Sequence, residues 1–168
     1  YLLKGYAINQ RVENIEKKLN EHDHKIELLI NTNLPPNEGI FYDGQIFDAY
    51  RFVSEIIKSA KESIVLIDNY IDDSVLTLLS KQKPNVKTTL YTSKISKQLQ
   101  LDLKKYNAQY PKIEVKQFTK AHDRFLIIDK KTVYHIGASL KDLGKRWFAF
   151  SKIQIDAKEI ISKLMTDK

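Results

Sequence analysis

The chain has 168 residues, with 28 Lys and Arg against 21 Asp and Glu, a net charge of +7, and no cysteine. No apolar run approaches the length of a membrane span, so disulfide scaffolds, thiol nucleophiles, cysteine zinc sites and transmembrane helices are excluded. A hydrophobic content of 42% with 10% aromatics argues for a globular domain rather than a disordered chain.

In chain order, the first predicted element is a coiled-coil helix over residues 1–34. Ile8, Val12, Ile15, Leu19, His22, Ile26 and Leu29 recur in steps of three and four, the a/d seam of a heptad repeat, with charged residues at the remaining positions. Asn31-Thr-Asn-Leu-Pro-Pro ends it, since Pro35 disfavours helical geometry at Leu34. A helix of this kind predicts self-association. The run Arg11-Val-Glu-Asn-Ile-Glu16 resembles a signature of three-stranded coiled coils, so both a dimer and a trimer fit at this level.

Beyond the Pro-Pro break, residues 35–168 read as one α/β domain. Ile46 to Ala60 is a predicted helix with a broad apolar face. Ser63-Ile-Val-Leu-Ile-Asp68 is a continuous apolar run, the mark of a central strand covered on both faces. A short helix follows from Asp73 to Leu79, capped by Asp72 or Asp73. Val86 to Thr92 is a strand and Ser96 to Tyr106 a Ser-capped helix. Three strands then span Ile113 to Phe118, Arg124 to Asp129 and Thr132 to Ile136, the last two joined by a tight Lys-Lys turn. Trp147 to Ile153 is a further strand and Ala157 to Met165 a closing helix. The order predicts a mixed β-sheet flanked by helices.

The charge is unevenly divided along these elements. Residues 1–34 are neutral, residues 35–80 carry −5, and residues 81–152 carry seventeen basic against five acidic side chains, +12. A basic excess of that kind attracts phosphate backbones, so DNA or another nucleic acid is the expected partner, and no membrane partner is expected.

Within the basic segment one stretch stands out: Lys120-Ala-His122-Asp-Arg124, then Asp129, then Gly137-Ala-Ser139-Leu-Lys141. On a strand, His122 and Arg124 would project from one face. A guanidinium offers a fork of donors to phosphoryl oxygens, and an imidazole can act as nucleophile or proton carrier. Gly137 adds a tight backbone turn, Ser139 a hydroxyl and Lys141 an ammonium. Asp129 has the opposite parity and is expected to anchor the turn. His135 reads as structural, Trp147 and Phe148 as core packing, although basic residues beside aromatics also suit nucleotide stacking. Asp68-Asn-Tyr70 ends the first central strand, where α/β proteins tend to place ligands. No carboxylate cluster is arranged for a two-metal site, so neither a metal nor another cofactor is expected.

The pattern of His122, Asp129 and Gly137 resembles the half-site of the phospholipase D superfamily, His-x-Lys, four residues, Asp, about six residues, then Gly-Ser-x-Asn. Arg124 stands at the family's lysine position, Ala138 at its serine, and the asparagine has no counterpart. The resemblance covers roughly residues 40–168. The stretch from Glu38 through Lys152 also resembles the C-terminal region of phage-type, KilA-N-like DNA-binding proteins, which implies a DNA-binding domain upstream of Tyr1. A chain that opens on Tyr1 rather than Met fits that expectation, as does a cytoplasmic setting without a signal peptide. The superfamily resemblance implies a metal-independent phosphodiesterase built from two half-sites. One His122 would attack phosphorus to give a phosphohistidine, and the His122 of a second chain would protonate the leaving oxygen. The alternative is a non-catalytic module that multimerises and binds. From Leu143 to Ile155 the sequence has no acid, which leaves Asp142 as the nearest residue to orient the histidine.

Overall fold

The computed structural model describes residues 2–31 and 36–166, the side chains of 28–31 excepted. The chain divides into two units, Tyr1–Pro35 and Pro36–Lys168.

The first unit is one helix, α1 (Leu2–Asn31). The seam residues lie open to solvent along it, Val12 at 46%, Leu19 at 56% and Ile15 at 58% exposure. The stop expected at Leu34 and Pro35 lies outside the described residues, as does the side chain of Leu29. No helix among the described residues is long and apolar enough to cross a membrane.

The second unit is an α/β domain on a seven-stranded sheet. Its elements are β1 (Glu38–Phe41), α2 (Ile46–Ser59), β2 (Ser63–Ile67), α3 (Asp73–Leu79), β3 (Lys87–Thr92), α4 (Lys97–Gln109), β4 (Ile113–Gln117), β5 (Arg124–Ile128), β6 (Thr132–Ile136), a 3-10 turn (Leu140–Asp142), β7 (Phe148–Ile153) and α5 (Ala157–Thr166). The strand order is β1-β7-β6-β5-β2-β3-β4. β2, β3 and β4 run parallel through helical crossovers, and β2, β5, β6, β7 and β1 pair antiparallel in that order. The mixed sheet flanked by helices is the architecture the sequence predicts.

Local chemistry specifies α2, α3, α4 and β2. In α2, Ala49, Val53, Ile56 and Ile57 recur at helical spacing and are fully buried. Asp72 caps α3 by accepting the Ser74 N–H at 3.0 Å, and Ser96 caps α4 by accepting that of Leu99 at 3.1 Å. β2 is apolar from Ile64 to Ile67 because both faces are covered. Ile64 and Leu66 enter the core beneath α2, α3 and α4, while Val65 and Ile67 pack toward α5. β1 is the strand that periodicity does not announce. It pairs with β7, with Phe41 opposite Phe148, and seats Phe41 in an aromatic cluster 5.3 Å from Phe148 and 5.5 Å from Phe52.

The β5–β6 turn carries the anchor expected of Asp129. Asp129 and Lys130 adopt φ of 54° and 55°, the left-handed geometry of a tight hairpin. The Asp129 carboxylate accepts the backbone N–H groups of Lys61, Glu62 and Ser63, joining this turn to the start of β2. Burial works to raise this carboxyl, but the N–H donors of Glu62, Ser63 and Lys61, helped by Lys131, bring it below its usual value. Asp129→Ala is therefore expected to cost about 1–2 kcal/mol in urea unfolding at neutral pH. A lowered folded pKa gives stability that is present above the usual value of 3.8 and is lost as pH falls through the folded value. Parent and variant should thus converge in acid.

Candidate phosphate site

The antiparallel pairing brings the start of β5, the end of β6 and the end of β2 to one edge of the sheet, since Ile67 lies opposite Phe125 and Arg124 opposite Ile136. A cavity of about 600 Å³ opens there, lined by Arg124, Gly137, Ala138, Ser139, Lys141, Asp142, Lys145, Arg146, Tyr70 and Trp147. Four of the predicted site residues, Arg124, Gly137, Ser139 and Lys141, therefore meet around one space. Four cations face a single lining carboxylate, Asp142, which pairs with Lys141 at 3.1 Å and Lys145 at 3.0 Å.

Arg124 is the best placed of the cations. It is half-buried, and its Nε is buried with no hydrogen-bond partner among the described residues. Its guanidinium carbon lies 5.9 Å from the centre of the Tyr70 ring, and the Lys141 ammonium 6.0 Å from it, so the ring faces two cations.

Gly137 owes its identity to close packing. Its N–H donates to the Ala149 carbonyl at 2.8 Å, and a Cβ built on it would lie 2.9 Å from that same oxygen. Only a hydrogen fits, and the backbone at the end of β6 is thereby held flat against β7.

Asp68 holds the loop that follows, and its position at the end of β2 was the only hint of this in the sequence. It is fully buried; Oδ2 accepts the Ser139 hydroxyl at 2.9 Å and the Leu140 N–H at 2.8 Å, and Oδ1 accepts the Tyr70 N–H at 3.0 Å. Burial pushes the carboxyl above its usual range, against the opposing pull of these donors and of the Arg124 charge. Ser139 also lies 3.0 Å from the Tyr70 carbonyl, so its hydroxyl proton is shared within the protein and serves to position the loop.

His122 sits apart from this group. β5 begins at Arg124, so His122 lies in the preceding bend, not on the strand, and strand parity does not direct it into the cavity. Its side chain is fully exposed, with Nδ1 3.1 Å from Oδ1 of Asp123. The other Asp123 oxygen lies 3.2 Å from Nε2 of His135. The hydrogen bond with His122, reinforced by His135, holds the Asp123 carboxyl below its usual range. The carboxylate that orients His122 is thus its own neighbour in sequence, whereas Asp142 is engaged by lysines. Among the described residues, no group of three or more His, Asp or Glu side chains is placed to hold a metal ion.

No protein-family model and no curated protein matches the sequence. The fold does have solved counterparts. It is similar to TrmBL2, an archaeal chromatin protein whose structure shows a novel mode of DNA binding, at a TM-score of 0.53 and 18% identity over 94% of this chain. This chain spans 62% of that protein. It is also similar to NucT from Helicobacter pylori, at a TM-score of 0.52 and 19% identity, over 77% of this chain and 91% of that one. At 18% and 19% identity these likenesses show a shared fold. The cavity of Arg124 and Lys141 lies where β5 begins and β6 ends, beside Gly137; His122 stands outside its lining, and Asp129 lies at the opposite end of β5.

Proposed function

We propose that this domain binds the phosphodiester backbone of nucleic acid, most simply DNA, in the cavity of Arg124, Gly137 and Lys141. The observation that carries this reading is the guanidinium of Arg124. It is half-buried in the lining of a cavity rich in cations, with a buried Nε that no described residue engages. A planar fork in that setting suits a phosphate, whose oxygens accept two parallel N–H bonds. The DNA binding shown by TrmBL2, a protein of the same fold, supports the same partner. Binding is expected to fall steeply with salt, because each phosphate neutralised releases counterions. A nucleic-acid partner fits a cytoplasmic location.

Self-association belongs to the same reading. The open apolar seam of α1 has the heptad spacing of a helix that buries its face against a copy of itself, and two chains are the favoured number. Ile15→Asp with Leu19→Asp is expected to halve the mass measured by sedimentation equilibrium. A mass that falls to one third would establish a trimer, and an unchanged mass would remove α1 from the assembly.

Hydrolysis is the second reading, favoured by the contact between His122 and Asp123. An imidazole held at Nδ1 by a carboxylate presents Nε2 to attack phosphorus, and full exposure leaves it open to meet a second chain. On this reading two His122 side chains share one phosphate, one as nucleophile and one as acid. Incubation with single- and double-stranded DNA in EDTA should then show cleavage by the parent and none by His122→Ala. Equal cleavage by both would remove the catalytic role, and no cleavage by either would leave the binding module.

A further inference from the structure

We propose that Trp147 is a base-stacking platform, so that the ligand of the cavity is a single-stranded segment whose unpaired bases lie on this ring while its phosphates meet Arg124 and Lys141. The inference rests on the phosphate-binding reading above and specifies which nucleic acid the site takes.

Trp147 immediately precedes β7, and the next residue, Phe148, is buried at 4% exposure as a core residue should be. Trp147 itself is 67% exposed. Leaving that much indole in water is unfavourable, since burial of apolar area contributes about 25 cal/mol per Å². The ring is nevertheless held in place. Its Nε1–H donates to Asp43 at 2.6 Å, and the Tyr42 ring meets it almost perpendicularly at a centroid distance of 4.7 Å. The loops carrying these partners are tied together as well. Gly44 N–H donates to the Gly144 carbonyl at 3.0 Å. Gly144 (φ +75°) runs so close to the start of α2 that a Cβ there would fall 2.5 Å from the Ile46 Cα. The one polar atom of the indole is thus satisfied inside the protein, and what remains to offer a ligand is its π surface.

The surroundings determine the kind of ligand. Lys145 and Arg146 precede Trp147 in sequence, and all three line the same cavity as Arg124 and Lys141. An apolar partner would have to desolvate those cations, and a second copy of this chain docked there would set like charges against each other, at a cost in affinity. A nucleotide strand brings both complements at once, a flat π face and an adjoining phosphate. In a duplex the base faces are already stacked on one another, whereas a single strand can present them to an aromatic ring.

Trp147 is the sole tryptophan, so the tryptophan emission of the full chain, excited beyond tyrosine absorption, reports on this ring alone. Three probes separate the arms: oligothymidylate of about a dozen nucleotides, a duplex of equal length, and base-free inorganic polyphosphate. Oligothymidylate is expected to quench the emission and to bind Trp147→Ala roughly tenfold more weakly, with Trp147→Phe restoring most of the loss. Polyphosphate is expected to bind both forms alike and to leave the emission nearly unchanged, and the duplex to quench less than the single strand. Oligothymidylate that binds without quenching and with equal affinity for Trp147→Ala would overturn the stacking proposal while leaving the phosphate site intact. If Arg124→Ala weakens neither oligothymidylate nor polyphosphate, the phosphate reading itself fails. An emission that shifts with protein concentration alone, without ligand, would mark Trp147 as a contact between copies and would overturn the proposal.

Discussion

Arg124→Ala is expected to lower affinity for DNA by at least tenfold at fixed salt and to flatten the dependence of binding on salt concentration, both read by fluorescence anisotropy. The guanidinium is half-buried with its Nε fully buried, and truncating a desolvated charged partner costs several kcal/mol, at about 1.4 kcal/mol per factor of ten. Arg124→Lys should recover only part of the loss, because a point charge replaces a planar fork. The substitution also carries a stability signature. Asp68 is buried with its carboxyl already raised, and the Arg124 charge is one of the influences that lowers it. Removing that charge raises it further. A raised carboxyl contributes stability that is present below its unfolded pKa and lost as pH climbs through the folded value. The stability deficit of Arg124→Ala should therefore be largest near neutral pH and shrink in acid, where Asp68 carries a proton.

Gly137→Val is expected to destabilise the fold by about 3 kcal/mol, or to lower the melting temperature by roughly 10 °C. The obstacle is a backbone oxygen, that of Ala149, 2.9 Å from where Cβ must go, so no side-chain rotation relieves it. Relief requires β6 and β7 to part, which breaks the bond from the Gly137 N–H and opens the cavity floor. Gly5→Ala provides the contrast, because a Cβ on Gly5 meets nothing within 4 Å and alanine favours helix. That change should be neutral or slightly stabilising in thermal unfolding.

Much of this architecture is legible in the sequence because the period of the apolar residues matches how they are buried. The helical spacing of Val53, Ile56 and Ile57 and the unbroken run at Ile64 to Ile67 both arise from burial beside the sheet. β1 escapes that logic. It has four residues, alternates exposed and half-buried positions, and is specified by pairing with β7 far along the chain.

The site divides in the same way. Arg124 opens β5, and Gly137, Ser139 and Lys141 follow directly on β6, which a tight turn joins to β5, so spacing gathers them. Asp68 arrives from β2, a neighbour in space but not in sequence, and nothing local shows that its carboxylate accepts donors from Ser139 and Leu140. His122 is the reverse case. Strand parity extends one step too far, because β5 starts two residues later. Its contact with Asp123, adjacent in sequence, is a matter of loop geometry that no periodicity encodes. Trp147 shows the limit of composition, since an aromatic beside a strand reads as core and only the fold reveals which of Trp147 and Phe148 faces inward.

The location of a bound phosphate separates two basic surfaces of the domain. A second basic surface exists on the α5 side of the sheet, with Lys61, Lys87, Lys116 and Lys130 lining a groove, so binding alone does not locate the site. The deciding measurement is an amide chemical-shift titration of the labelled protein with inorganic polyphosphate. Shifts are expected to cluster at Tyr70, Arg124, Gly137, Ser139 and Lys141 and to vanish in Arg124→Ala. Shifts confined to the groove of Lys61, Lys87, Lys116 and Lys130, and unchanged in Arg124→Ala, would contradict a phosphate site at Arg124.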